Sequence, residues 1–175
     1  PKLLSNAGRA LGYYHLKSEK HLTFNDQCWQ AKFVVTPGEP TLLRKVEIEI
    51  LGDAENSPDI TKILQTSDIK PGQQLHHGNY EEIKQEIELF AVENGYFDGK
   101  FILSRVSVEP QKNRADIKLV YNSGPRYKIS SLTLEQDAFA PELLNRYVGI
   151  HVGDYYQADA LTTLNRRLTE SGYFN

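Results

Sequence analysis

Between Lys45 and Ile50 the chain alternates, with Val46, Ile48 and Ile50 apolar and Lys45, Glu47 and Glu49 charged. A period of two predicts a strand from Leu42 to Ile50 with one buried face. Leu51-Gly52-Asp53 breaks the pattern. Ser57 before Pro58 then sets up a capped helix start, with Ile60, Ile63 and Leu64 as a short apolar stripe. After the turn Lys70-Pro71-Gly72, Asn79 is expected to cap a second helix, in which Tyr80, Ile83, Ile87, Phe90 and Ala91 recur at helical spacing. Two further strands are predicted, Phe97 to Val108 and Ala115 to Tyr121, joined as a hairpin near Gln111-Lys112-Asn113. The order over residues 40–124 is therefore β-α-α-β-β. Neither layer can bury its apolar side alone, so the expected fold is α+β, a three-stranded mixed sheet covered on one face by two helices.

Parts of this pattern recur on both sides. Gly12-Tyr13-Tyr14, Gly95-Tyr96-Phe97 and Gly172-Tyr173-Phe174 each close a helical stretch, at intervals of 83 and 77 residues. Such intervals are the length of a small domain, which makes the chain a tandem array of modules. Glycine after each helix predicts a left-handed C-cap, and the aromatic residues that follow are expected to open a strand. Upstream, Leu3 to Leu11 resembles the second helix, and His15 to Phe24 with Trp29 to Thr36 resembles the closing hairpin. Downstream, Tyr127 to Leu134 matches the first strand, Pro141 to Tyr147 the first helix, and Leu161, Leu164 and Leu168 the stripe of the second. The expected repeats are residues 1–39 (the C-terminal half of a first), 40–124 (a complete second) and 125–175 (the N-terminal part of a third). Their junctions, Thr36-Pro37-Gly38-Glu39-Pro40 and Asn122-Ser123-Gly124-Pro125-Arg126, carry the Pro and Gly of tight, semi-rigid hinges.

Composition narrows the function classes. Hydrophobic residues make up 39% and charged ones 25%, as in a globular chain. A net charge of −3 gives no footprint for nucleic acid. No run of 18 apolar residues is present to span a bilayer as a helix. The start at Pro1, the absence of Met and the interrupted strand at Asn175 suggest a piece of a longer protein. Cys28 is single and is read as a strand residue without chemistry.

Catalytic and cofactor signals are absent from the sequence. Adjacent His76 and His77, expected on a strand or extended loop, would point apart, and no Cys or carboxylate stands at metal-ligand spacing beside them. There is no phosphate loop and no nucleophile elbow, and the carboxylates alternate with lysine as on a solvated face. The expectation is a protein that is not an enzyme and needs no metal or cofactor.

One irregularity does point to interaction. After Gly95, apolar residues occupy Phe101 and Leu103 and then change phase to Val106 and Val108 across Ser104-Arg105. A one-residue slip is the mark of a β-bulge, a device that edge strands use to limit unwanted pairing. Lys100, Phe101, Ile102, Leu103, Ser104, Arg105 and Val106 are thus the candidate edge for another chain's strand, with Phe101 and Leu103 shaping side-chain preference. The bland alternative is that the slip only bends or ends the edge.

The β-α-α-β-β order, the Gly-Tyr-aromatic signature and the junctions resemble POTRA domains, the polypeptide-transport-associated modules of outer-membrane β-barrel assembly proteins. Ala10-Leu11-Gly12-Tyr13-Tyr14, Tyr121-Asn122-Ser123-Gly124-Pro125-Arg126-Tyr127 and Leu164-Asn165-Arg166-Arg167-Leu168 with Ser171-Gly172-Tyr173-Phe174-Asn175 look like the TamA branch of that family. BamA and the two-partner secretion transporters share the module. The resemblance implies a non-enzymatic periplasmic array carried by a C-terminal membrane barrel. Its partners would be a TamB-like subunit anchored in the inner membrane and unfolded outer-membrane clients. It also implies that the second strand of each repeat, Lys100 to Val108 in the middle copy and His15 to Phe24 in the first, is the open edge. The repeat-signature residues Gly12, Tyr13, Gly95, Tyr96, Gly172 and Tyr173 are read as architectural.

Overall fold

A computed structural model describes residues 2–25, 28–133 and 148–171. Helix α1 (Lys2–Ala10) leads into strands β1 (Lys17–Asn25) and β2 (Cys28–Thr36). There follow β3 (Leu42–Leu51), α2 (Pro58–Thr66), α3 (His77–Glu93), β4 (Lys100–Glu109), a turn of 3-10 helix (Pro110–Lys112) and β5 (Arg114–Asn122). Helix α4 covers Ala158–Glu170. The β-α-α-β-β order over the middle of the chain is the expected one. The predicted helix at 141–147, with Gly172 and Tyr173, lies outside the described residues.

Contacts gather the chain into two compact units. The first comprises Pro1–Glu49, Ile63–Gln85 and Leu103–Val120, and its core includes Leu43, Leu75, Ile83, Ile117 and Leu119. The second comprises Ile50–Lys62, Glu86–Ile102 and Tyr121–Asn175, with Ile60, Ile87, Ala91 and Tyr121 buried. Each such Leu or Ile contributes ~1.5–3 kcal/mol relative to an exposed position.

Strands β3, β5 and β4 form a mixed sheet in that order, with β5 central. On β5, Ala115, Ile117, Leu119 and Tyr121 are buried while Arg114 and Lys118 are exposed, so one face is covered; toward the strand's end Val120, on the other face, is buried too. Helix α3 buries Tyr80, Ile83, Ile87, Phe90 and Ala91, the stripe read from its spacing.

Strands β1 and β2 pair by themselves, antiparallel, with Phe24 opposite Trp29 and Leu22 opposite Ala31. Directly opposed residues share a face, so Leu22, Phe24, Trp29, Ala31, Phe33 and Val35 project together. Counted back from the junctions, Trp29, Ala31, Phe33 and Val35 stand where β5 has the buried Ala115, Ile117, Leu119 and Tyr121. Here Trp29 is 68% and Phe24 74% exposed.

Three boundaries differ from expectation for local reasons. Helix α3 begins at His77, so Asn79 lies inside it; the His76 carbonyl accepts from Tyr80 N and its Nδ1 accepts from Asn79 N at 3.4 Å, which makes His76 the cap. Tyr13 and Tyr96 do not open strands, since β1 and β4 start only at Lys17 and Lys100. In both places the chain first completes a Schellman turn, with Tyr13 N donating to Gly8 O and Tyr96 N to Ala91 O. Residues 127–133 form a single bridge, Lys128 with Tyr155, in place of the expected strand.

The signature glycines have a second use besides the cap. Gly12 O accepts from Thr41 N at 2.9 Å, and Gly95 O accepts from Tyr127 N at 2.8 Å. In the first case Leu75 N donates to Thr41 O, Leu43 N to Gln73 O and Gly72 N to Leu43 O. In the second, Tyr156 N donates to Tyr127 O, Ile129 N to Asp154 O and Gly153 N to Ile129 O. The two sets are the same four-bond clasp. At Gly12 (φ +83°) a Cβ would run into the Leu75 carbonyl, and at Gly95 (φ +84°) it would stand 3.0 Å from the Tyr156 side chain. A left-handed residue without a side chain is required on both counts.

Candidate functional site

The sheet has two edges, and they differ. The outer side of β3 at its start is occupied, because residues 72–75 bond to Thr41 and Leu43 and pair Gln74 with Leu42. Among the described residues, Ile102 to Arg105 of β4 make no backbone bond outside the sheet, and beyond its covered start neither do Arg44 to Ile50 of β3. The candidate strand therefore sits at an edge with main-chain groups available to another strand.

Burial along β4 follows the phase change. Phe101 and Leu103 are half-buried, Ser104 and Arg105 are exposed in succession, and Val106 and Val108 are half-buried again. Lys100 and Ile102 are exposed. Phe101 meets the ring of Tyr121 edge-on at 4.9 Å. Burial, and then the Glu88 carboxylate, push the Tyr121 hydroxyl up to about 12.

The uncovered side of the sheet is polar. Arg44 forks onto Asp116 and also reaches Glu109, which pairs with Lys112 at 2.7 Å. Glu47 pairs with Lys45 at 2.5 Å and Lys118 at 3.8 Å. Hydrogen bonds from these cations hold Asp116, Glu109 and Glu47 below the usual carboxylate range. Exposed pairs of this kind keep a surface soluble and add little stability.

Histidines do structural work in this fold. Tyr14 Oη and His77 Nε2 are 3.0 Å apart, and His15 Nε2 donates to Pro110 O at 2.7 Å. Among the described residues no group of three or more His, Cys, Asp or Glu is placed to hold a metal.

Sequence reasoning missed the side chains around the second clasp. Arg126 donates from Nε to Asn94 O at 2.9 Å and from its amide to Asp53 at 3.0 Å. Its guanidinium lies over Tyr96 and Tyr155, 5.7 and 4.8 Å from the ring centroids. Tyr127 Oη donates to Asp98 at 2.8 Å, and Phe97 packs against Tyr127 and Tyr156. The available signal was a second repeat, Gly72 and Gly153, at about the interval of the Gly-Tyr signature.

Comparison with known proteins agrees with this architecture. Residues 127–175 match the POTRA family model, described as surface antigen variable number repeat. The fold is similar to POTRA domains 3–5 of BamA from Haemophilus influenzae, with a TM-score of 0.53 and 19% identity over 99% of this chain and 69% of that one. Further matches are the N-terminal domain of Omp85 from Thermosynechococcus elongatus (TM-score 0.40, 18% identity, 98% of this chain and 71% of that one) and POTRA domains 1–2 of Omp85 from Anabaena (0.43, 14%, 77% and 82%). The chain has the POTRA fold, and its C-terminal residues carry the POTRA family pattern.

Proposed function

We propose that this chain is a non-enzymatic, periplasmic interaction module of an outer-membrane β-barrel assembly factor of the TamA type. In this reading residues 1–39, 40–124 and 125–175 are successive POTRA repeats, and a membrane barrel follows in the longer protein. The array docks a TamB-like subunit and guides unfolded outer-membrane or autotransporter clients to the barrel. The open edge of β4 carries the proposal. A strand added along 100–106 would satisfy backbone groups whatever the client's sequence, which suits a carrier of many clients. Docking of this kind is weak, because a small interface must offset the ordering of a flexible chain.

Photo-crosslinking from position 104 of the full-length protein in Gram-negative cells tests the reading. Adducts with barrel proteins or with the inner-membrane subunit are expected. Their absence, with adducts forming from the first repeat, would overturn β4 as the docking strand.

The paired clasps favour a second reading, in which the repeats are a spacer between barrel and partner. On that reading proline at Leu103 or Ser104 leaves assembly intact, while a flexible linker in place of either junction abolishes it.

A further inference from the structure

The outward side of α3 differs from that of the other two helices at the same place in the repeat. Leu89 and Val92, three residues apart and 58% and 56% exposed, sit together on the side opposite the core stripe. At the repeat intervals of 83 and 77 residues, their counterparts are Asn6 and Arg9 in α1 and Arg166 and Thr169 in α4. Only the middle copy puts apolar side chains in water there.

The charge around this pair is equally particular. Helix α3 carries five glutamates and one lysine, whereas α1 has two basic residues and no acid. Lys84 is committed to Glu81. Glu86, Glu88 and Glu93, which flank Leu89 and Val92, have no basic partner among the described residues. Beside Val92, Glu93 and Asn94 form one wall of a cleft of about 440 Å³, whose other wall is Gln157, Asp159 and Thr162 at the start of α4. Asp159 is likewise unpaired by any base among the described residues. Arg126, which bonds to the Asn94 carbonyl, is taken up by the faces of Tyr96 and Tyr155.

We infer that the outer face of α3 is a docking surface for a basic amphipathic helix of another protein. Aliphatic side chains three or four residues apart would cover Leu89 and Val92, and a neighbouring Lys or Arg would enter the cleft between Glu93 and Asp159. Apolar contact supplies affinity, and the uncompensated carboxylates select the sign of the partner's charge. This surface is separate from the β4 edge and does not depend on it.

The test is a titration of the isotopically labelled chain, followed by two-dimensional amide NMR, with a synthetic leucine-lysine peptide of about 14 residues, long enough to dock as a helix. Its leucine-glutamate counterpart is titrated in parallel. The lysine peptide is expected to shift residues 86–93 and 157–162 saturably, and the glutamate peptide to leave them unmoved. The exposed double variant Leu89→Ser/Val92→Ser should weaken binding about tenfold while keeping the rest of the spectrum. Glu93→Gln with Asp159→Asn should weaken it and flatten its salt dependence. Equal binding of both peptides, no saturable shift, shifts confined to 100–106, or unchanged affinity in the double variant would each overturn the proposal.

Discussion

The guanidinium of Arg126 sits over the ring of Tyr155, 4.8 Å from its centroid, and so joins the segment after β5 to the loop that opens α4. The same side chain donates to Asn94 O at the end of α3. Arg126→Ala is expected to lower stability by about 1–2 kcal/mol, from its cation–π contacts with Tyr155 and Tyr96 and one partly buried hydrogen bond. Lysine at this position keeps the charge but not the fork, and should recover only part of the loss. Urea unfolding followed by circular dichroism reads both.

Two glycines separate conformational strain from crowding. At Gly72 (φ +88°) a Cβ would have nothing within 4 Å, whereas at Gly95 (φ +84°) it would meet both Tyr156 and the Tyr127 carbonyl. Gly72→Ala should cost ~1–2 kcal/mol, the price of a left-handed alanine. Gly95→Ala should cost roughly 1–3 kcal/mol more, because the clasp has to move. Equal losses in the two variants would mean that the clasp at Gly95 accommodates a Cβ without cost.

Tyr121 is 1% exposed, and its hydroxyl has no hydrogen-bond partner among the described residues. Tyr121→Phe is therefore expected to be neutral or to stabilise by up to about 1–2 kcal/mol, the reverse of a typical core substitution. The hydroxyl titrates at about 12 in the folded chain, against roughly 10 when unfolded. The neutral phenol favours the fold, so this contribution is complete below pH ~10 and falls away as the pH rises toward ~12. Unfolding of the phenylalanine variant should lose that part of the alkaline decline.

Trp29 is the single tryptophan, which makes it a reporter for the uncovered face of β1 and β2. Its fluorescence in this chain is expected to be red-shifted and readily quenched by acrylamide. In a longer form containing the rest of the proposed first repeat, emission should shift to the blue and quenching should fall, as a strand corresponding to β3 extends the sheet and a helix corresponding to α2 covers its face. An unchanged tryptophan would refute that completion.

Much of the fold was legible because its periods are clean. The β5 alternation and the stripe of α3 name their own buried residues, and Gly12 and Gly95 adopt the left-handed cap their position implies. The helix start was misplaced because His76, a weak capping type, caps through its ring nitrogen and leaves Asn79 inside the first turn. Of the candidate site, the phase change at Ser104-Arg105 could be read directly. What could not be read is that residues 72–75 pair with the start of β3, because backbone bonds between distant segments leave no mark on side-chain patterns.

The clasps at Gly12 and Gly95 are made of main-chain atoms, and the residues that form them are chemically unlike: Thr41 against Tyr127, Leu75 against Tyr156, Gln73 against Asp154. A joint built this way works like a standard fitting. A chimera that exchanges residues 40–43 and 72–75 for 126–129 and 153–156 should seat on the preceding glycine without redesign, because the four bonds that hold it ask nothing of the side chains.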